Sequence, residues 1–201
     1  MNASAAGFGY IEIWDDDIIE ITNLNRQIAH KTNNIGFNKA ENLAKECIKI
    51  NPNITVRFQS SNFDISKDIN NFDIIFDCSD NQETKYALNY LSHKHKKILI
   101  SGSAVQMEGQ LSVLKSGLND TLPCYECIFP KTTEKAPITN CREAGIIGSI
   151  TAFIASMQVS EAIKEIALLN YPSISGYLIL YDGFSQSLDK IKITKKNNCL
   201  I

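Results

Sequence analysis

The order of apolar segments changes about halfway along this chain of 201 residues, and that change limits the folds it can adopt. In the first half, short apolar runs alternate with stretches of helical spacing. The run 72–78 is almost continuously apolar, as a buried parallel strand should be. After residue 101, alternating or glycine-flanked strands predominate, and one long helix interrupts them. The sequence therefore predicts an α/β fold with a mixed sheet, parallel in its first half and antiparallel in its C-terminal half.

The length suits a single domain over residues 1–201 with a substantial core. Apolar residues of 38–50 recur at intervals of three and four, which predicts an amphipathic helix that Asn51-Pro52 ends. The predicted strands are 10–14, 54–59, 72–78, 98–101, 109–114, 177–181 and 189–193, and the predicted helices are 38–50, 81–94 and 146–168.

Composition narrows the possible partners. The net charge is −2 and no basic stripe with interleaved aromatic residues occurs, so we expect no nucleic-acid partner. The stretch 146–159 is too short and too polar to cross a bilayer, so we expect a buried helix there and no membrane partner. The N-terminal residues lack the features of a secretory signal. Six cysteines without such a signal predict a reduced, cytoplasmic protein whose cysteines bind metal or react.

Charged side chains around the first predicted strand form a candidate nucleotide site. Strand 10–14 ends in three aspartates, and Asp15 is placed where a carboxylate can bind ribose hydroxyls. Arg26 offers a planar fork for phosphate oxygens. Lys39 offers a point charge where the amides of a helix N-terminus add positive potential. Taken singly, each is more simply explained as a loop-capping acid or a surface cation.

Asp80 follows the third predicted strand, at the carboxyl edge where open α/β sheets bind ligands. Its carboxylate could bind magnesium between phosphate groups. It could also cap the helix that begins at Asn81, and one side chain can fill both roles.

Cysteines supply a second candidate site. Cys124 and Cys127 form a CxxC motif, which could be a redox pair, half of a zinc site or a structural feature without chemistry. Cys47 lies on the apolar face of a predicted helix, and Cys78 ends a predicted buried strand. Both are therefore expected in the core.

Motifs that occur in the same order along nearly the whole chain resemble those of one family. They are Asp15-x-Asp17, Asn23-Leu24-Asn25-Arg26-Gln27, Gly36-x-x-Lys39, Asn51-Pro52, Asp77-Cys78-Ser79-Asp80-Asn81, Ser101-Gly102, Glu108-Gly109-Gln110, Pro123-Cys124-Tyr125-Glu126-Cys127, Cys141-x-x-Ala144-Gly145 and Glu161-Ala162-Ile163-Lys164. Together they resemble the ThiF/MoeB/HesA family, bacterial relatives of ubiquitin-activating enzymes, and most of all its molybdopterin-synthase branch. The resemblance implies a Rossmann-like mixed sheet, of which this sequence lacks the first strand and the glycine-rich loop. Gly7 matches the end of the helix that follows that loop.

The resemblance also implies an activity: ATP-dependent adenylation of the C-terminal glycine carboxylate of a small ubiquitin-like sulfur-carrier protein. In that reaction Asp15 would hold the ribose, with Asp17 beside it in the cofactor site. Asn23, Arg26 and Lys39 would hold and polarise the phosphates. Asp80 would bind magnesium. The absent glycine-rich loop leaves the activity of this chain open.

For the cysteines, the resemblance implies a zinc site. In the family, a second CxxC completes four thiolates, whereas Cys124, Cys127 and Cys199 offer three here and would hold zinc more weakly. Cys141 matches a cysteine that in some members binds the carrier covalently, and Arg142 could lower its pKa. An unreactive loop thiol is an equally good interpretation. The resemblance also implies a homodimer, with helix 146–168 and the neighbouring strands as candidates for its interface.

Two other hypotheses remain open. The chain could be a catalytically impaired module that binds the carrier or dimerises. It could also be a dinucleotide oxidoreductase, although the sequence has neither the glycine fingerprint nor a catalytic Tyr or His pattern.

Overall fold

A computed structural model describes residues 1–131, 145–197, 199 and 201. They fall into two compact units, Met1–Asp64 and Ile65–Ile201, and each unit contains its own sheet. The single domain over 1–201 stays a prediction. None of the helices in the described ranges combines the length and hydropathy needed to cross a membrane.

The first unit consists of a parallel strand pair and the helices beside it. Its elements are α1 (Asn2–Ala5), β1 (Tyr10–Trp14), α2 (Lys39–Ile50) and β2 (Thr55–Gln59), with 3₁₀ turns at Ile21–Asn23 and Thr32–Asn34. β1 pairs with β2 in parallel. The apolar face of α2 buries Ala40, Ala44 and Cys47, which confirms the predicted amphipathic helix and the core position of Cys47.

Gly7 ends α1, as predicted. Its φ is +84°, a left-handed conformation that glycine adopts without steric cost. The Phe8 N–H donates to the Ala3 carbonyl and the Gly7 N–H to the Ser4 carbonyl, both at 3.1 Å. This pair of bonds is a Schellman motif, which satisfies the last carbonyl groups of the helix.

The second unit contains the larger, mixed sheet. Its elements are β3 (Ile74–Asp77), α3 (Gln82–Lys94), β4 (Ile98–Val105), β5 (Glu108–Leu114), α4 (Tyr125–Ile128), α5 (Gly148–Ile166), β6 (Tyr177–Asp182) and β7 (Ser187–Lys192). The strand order is β3-β4-β5-β6-β7. β3 is parallel to β4, and the later pairs are antiparallel. The predicted change from parallel to antiparallel pairing is therefore confirmed.

Helix α5 joins two strands through one buried polar side chain. Gln158 is 4% exposed, and its Nε2 donates to the carbonyl oxygens of Asp77 on β3 and Ile100 on β4, both at 3.0 Å. The prediction of a buried helix at 146–168 is right for only one face. On another face, Ala152, Phe153, Ala155 and Ser156 are exposed.

The prediction for the third strand needs two corrections. β3 spans Ile74–Asp77 rather than 72–78 and is half-buried, because it lies at one edge of the sheet. Cys78, expected in the core, is exposed. The strand ends one residue earlier, at Asp77, which is only 1% exposed. The Cys78 thiol itself still lies 3.7 Å from Gln158 Oε1.

Gly102 lies beneath the Gln158 side chain, and a Cβ atom there would come within 2.6 Å of Gln158 Cδ. We therefore expect Gly102→Ala to displace Gln158, break its bonds to both strands and lower the free energy of unfolding by about 1–3 kcal/mol. Urea unfolding measures this loss. Gly9→Ala is the matched control, because a Cβ at Gly9 meets no atom within 4 Å. An equal loss in both variants would contradict the steric explanation.

Candidate functional site

The acidic end of β1 and the start of α2 are held together by polar contacts. Lys39 Nζ lies 2.7 Å from Asp17 Oδ2, and its side chain is only 11% exposed. The Lys39 N–H donates to the Asp17 carbonyl at 2.9 Å. Asn38 donates to the Asp15 carbonyl at 2.9 Å and caps α2 by accepting the Glu41 N–H at 3.0 Å. The structure therefore places the predicted residues Asp17 and Lys39 in direct contact.

Asp15 is half-buried beside this ion pair. Its Oδ1 accepts the Asp17 N–H at 2.9 Å. Burial raises the pKa of Asp15, while that hydrogen bond and the charge of Lys39 act to lower it. The carboxylate is thus kept in a partly dry position by one donor and one cation. Such a carboxylate can accept hydrogen bonds from a polyol.

Asn23 and Arg26 lie in the loop between β1 and α2. Asn23 is buried, and its Oδ1 accepts the Glu20 N–H at 2.9 Å, so this oxygen shapes the loop. Arg26 Nη1 donates to the Thr22 carbonyl at 2.9 Å and to Asn25 Oδ1 at 3.0 Å. Both partners of Arg26 are neutral oxygens, so the guanidinium charge is not neutralised by these contacts. The predicted phosphate-binding roles of both residues stay predictions.

Asn42 and His30, which no sequence motif marked, also fix this loop. Asn42 Nδ2 donates to the Ala29 carbonyl at 3.1 Å and to His30 Nδ1 at 2.8 Å. His30 Nδ1 is therefore the acceptor, and the neutral ring carries its proton on Nε2. Burial, and then the charge of Lys39, lower the pKa of His30. The available signal was spacing, since Asn42 lies three residues after Lys39 and so on the same face of α2.

Asp80 belongs to the second unit, in the turn between β3 and α3. It is exposed. The helix cap is Asn81, whose Oδ1 accepts the Thr84 N–H at 2.8 Å. The capping role considered for Asp80 is therefore wrong, because the cap lies one residue later. Its magnesium role stays a prediction.

Beneath this turn lies a buried charge cluster that the sequence analysis also missed. Asp77 accepts hydrogen bonds from Lys85 Nζ at 3.0 Å, Ser101 Oγ at 2.6 Å, Ser79 Oγ at 2.7 Å and the Ser79 N–H at 3.0 Å. Lys85 is 6% exposed. Removing one partner of such a buried pair typically costs about 3–5 kcal/mol. An acid that ends an apolar strand was the available signal.

The structure brings Cys124, Cys127 and Cys199 together. Cys124 Sγ lies 3.9 Å from Cys127 Sγ and 3.4 Å from Cys199 Sγ. Zinc–sulfur bonds of about 2.3 Å in a tetrahedron separate sulfur atoms by roughly 3.8 Å, so the spacing fits a zinc ion. The Lys196 N–H points to Cys127 Sγ at 3.5 Å. Cys141 lies outside the described residues.

The thiols of this cluster differ in acidity. Burial, and then a hydrogen bond with Cys199, raise the pKa of Cys124 to about 12. Burial also acts to raise the pKa of Cys127. The Lys196 N–H and further hydrogen bonds outweigh it, so that pKa falls below its ordinary value. A metal ion would therefore have to displace the proton of Cys124. The three cysteines suit a metal that binds thiolate groups.

Comparison with known proteins extends the motif evidence. A family model described as the ThiF family matches residues 1–201. The chain is 38% identical over 199 residues to the adenylyltransferase and sulfurtransferase MOCS3 of Drosophila persimilis, covering 97% of this chain and 43% of that protein. It is 36% identical over 190 residues to the adenylyltransferase and sulfurtransferase UBA4 of Scheffersomyces stipitis, covering 91% and 42%. The chain thus spans about two fifths of these relatives.

Solved structures share the fold. E. coli MccB with MccA-N7isoASN has a TM-score of 0.81 at 19% identity, covering 100% of this chain and 63% of that chain. E. coli MccB with ATP has a TM-score of 0.78 at 20% identity, covering 98% and 60%. The predicted Rossmann-like mixed α/β fold is confirmed.

We expect Asp15→Asn to stabilise the folded chain at pH 7. Burial raises the folded-state pKa of Asp15, so its ionised form destabilises the fold above that pKa. This cost disappears as the pH falls below the unfolded value of about 3.9. The gain in urea midpoint should therefore be present at pH 7 and absent at pH 3.5. The control is Asp16→Asn, because Asp16 is exposed. A gain that persists at pH 3.5 would contradict a charge effect.

Proposed function

Because this chain belongs to the ThiF family, we propose that it adenylates the C-terminal glycine carboxylate of a small ubiquitin-like sulfur-carrier protein. Two relatives that match nearly all of the chain are named as adenylyltransferases and sulfurtransferases. The structural observation that supports the proposal best is Lys39. Its ammonium group is held at the start of α2 by Asp17, beside the half-buried Asp15.

Each proposed contact follows from the chemistry of the side chain. Asp15 accepts hydrogen bonds from the ribose hydroxyls of ATP, and its partly buried position strengthens them. Lys39 and Arg26 bind phosphate oxygens, as a point charge and as a planar fork. Asn23 supports them from the buried side of the same loop. A phosphate competes with Asp17 for Lys39, and the half-exposed Asp17 can turn to solvent when Lys39 leaves it.

The proposed reaction needs no general base, because the nucleophile is already a carboxylate. One of its oxygens bonds to the α-phosphorus of ATP, the bond from that phosphorus to the bridging oxygen breaks, and pyrophosphate leaves with the electron pair. The products are an acyl-adenylate and pyrophosphate. Two anions must approach each other, so the residues of this chain contribute positive charge and alignment. Magnesium, held by Asp80, would supply further neutralisation of phosphate charge.

The second candidate is a carrier-binding or dimerisation module without activity. The exposed apolar face of α5 supports it, since Phe153 is 38% exposed and its ring lies against that of Tyr181, at 4.5 Å between centroids and 45° between ring planes. This candidate requires carrier binding that is indifferent to ATP. In its dimerisation form it requires instead a sedimenting species with twice the mass of the chain. The homodimer and the cytoplasmic location stay predictions.

Pyrophosphate–ATP exchange in the presence of the carrier tests the first candidate. We expect Lys39→Met and Arg26→Ala to lower the exchange rate by about 100-fold, because each removes a charge that stabilises the transition state. Lys45→Ala is the matched control, since Lys45 is an exposed lysine of the same helix that pairs with Glu41. If the unaltered chain binds the carrier normally but catalyses no pyrophosphate exchange, the proposed enzymatic activity is refuted and the non-catalytic module is favoured.

Zinc content tests the proposed metal site. We expect the purified chain to hold about one zinc ion through Cys124, Cys127 and Cys199, and Cys199→Ser to lose it more readily on dialysis against a chelator. Cys47→Ala is the control, because Cys47 is buried on α2 at 2% exposure. Mass spectrometry of the dialysed protein measures the metal. Zinc loss that is equal in the two variants would refute the assignment.

A further inference from the structure

One face of α3 carries polar side chains at intervals of four residues. Asn81 caps the helix immediately after Asp80, Lys85 binds the buried Asp77, and Asn89 is 1% exposed. Side chains four residues apart lie above one another on a helix. The first two contacts hold the turn that contains Asp80. Asn89 extends the same face to the cysteine cluster.

Asn89 has one satisfied group and one unsatisfied group. Its Oδ1 accepts the N–H of Tyr125, the residue after Cys124, at 2.9 Å. Its Nδ2 is buried and has no hydrogen-bond partner of good geometry in the described ranges. The bond from Tyr125 holds this amide against the residue that directly follows Cys124. A buried donor without an acceptor is unfavourable, so this group indicates a partner that the neutral thiol does not provide.

A metal-bound thiolate is such a partner. A thiolate sulfur is a stronger acceptor than a neutral thiol, and buried thiolates need donors around them because water is excluded. The Lys196 N–H already serves Cys127 in this way at 3.5 Å. Groups that donate to metal ligands orient them and tune the affinity for the metal.

We propose that Asn89 is a positioning residue that donates to the metal-bound sulfur of Cys124 and thereby links the cysteine cluster to α3 and the Asp80 turn. Metal binding gives the Nδ2 group its acceptor, so the middle of α3 is held to the loop of Cys124 by two hydrogen bonds instead of one. Lys85 and Asn81 carry this restraint to the other end of the helix. The role of Asp80 in this link rests on the proposed function.

Cobalt titration of the full chain tests the metal contact, because cobalt thiolate bonds absorb light and zinc competes for the same site. Asn89→Asp keeps an oxygen for the Tyr125 N–H but removes the unpartnered Nδ2 donor. We expect its metal affinity to fall about 10- to 100-fold. Ser92→Ala is the control: Ser92 is buried on the same helix, and its Oγ donates to the Asn89 carbonyl at 2.9 Å. Affinity in Asn89→Asp equal to that of the unaltered chain would overturn the proposal.

Hydrogen exchange of the α3 amides tests the link to the helix. Zinc should slow hydrogen exchange of the amides over Gln82–Lys94 in the unaltered chain and in Ser92→Ala. At equal metal occupancy, the slowing should be smaller in Asn89→Asp. Exchange in the unaltered chain that is the same with and without zinc, or a failure to bind either metal, would overturn the proposal. That comparison needs no variant, so it holds even if Asn89→Asp misfolds.

Neither measurement uses ATP or the carrier. A chain without pyrophosphate exchange but with zinc-dependent protection of α3 would keep this inference and lose the proposed activity. A chain that catalyses pyrophosphate exchange, but whose α3 amides exchange hydrogen at the same rate with and without zinc, would keep the proposed activity and lose this inference.

Discussion

The arrangement of the second unit depends on the buried carboxylate of Asp77. An isolated buried charge costs several kcal/mol, so every element around it must supply a donor. Lys85 comes from α3 and Ser101 from β4, and Gln158 of α5 binds the carbonyl of the same residue. Satisfying one residue therefore sets the positions of two helices and a neighbouring strand. The hydrogen bonds of this buried cluster therefore also fix the conformation of the exposed turn that contains Asp80.

The first unit uses an ion pair in a different way. Lys39 is largely covered, but Asp17 is half exposed, so water screens their attraction and the pair contributes little to stability. That weakness suits a binding site, because an incoming anion can take Lys39 at small cost. The loop around it is fixed instead by neutral groups, Asn38, Asn42 and the buried Asn23. The hydrogen bonds of these asparagines thus hold the loop in place, while the ion pair between Lys39 and Asp17 can be broken by a ligand.

Most helix and strand positions could be predicted from the sequence, because periodicity is a local property. β1 occupies the predicted residues 10–14, and α2 begins one residue after the predicted start. The strand predicted at 98–101 extends four residues further, to Val105. Two other errors arose where a single residue decided the outcome. Asn81 rather than Asp80 caps α3, and Asp77 rather than Cys78 is buried at the end of β3. The spacing of apolar residues in the sequence does not show which of two neighbouring residues caps a helix or is buried.

The sequence by itself determined the order of elements, the family and the candidate charged residues, since these depend on local spacing and on motif order. Only the tertiary structure decided which side chains meet. It brings Cys199 Sγ within 3.4 Å of Cys124 Sγ, 75 residues away in the chain, and aligns Asn89 with Tyr125, 36 residues away. It also places Gln158 between two strands. The spacing of residues along the sequence does not reveal such contacts, because they depend on how the helices pack on the sheet.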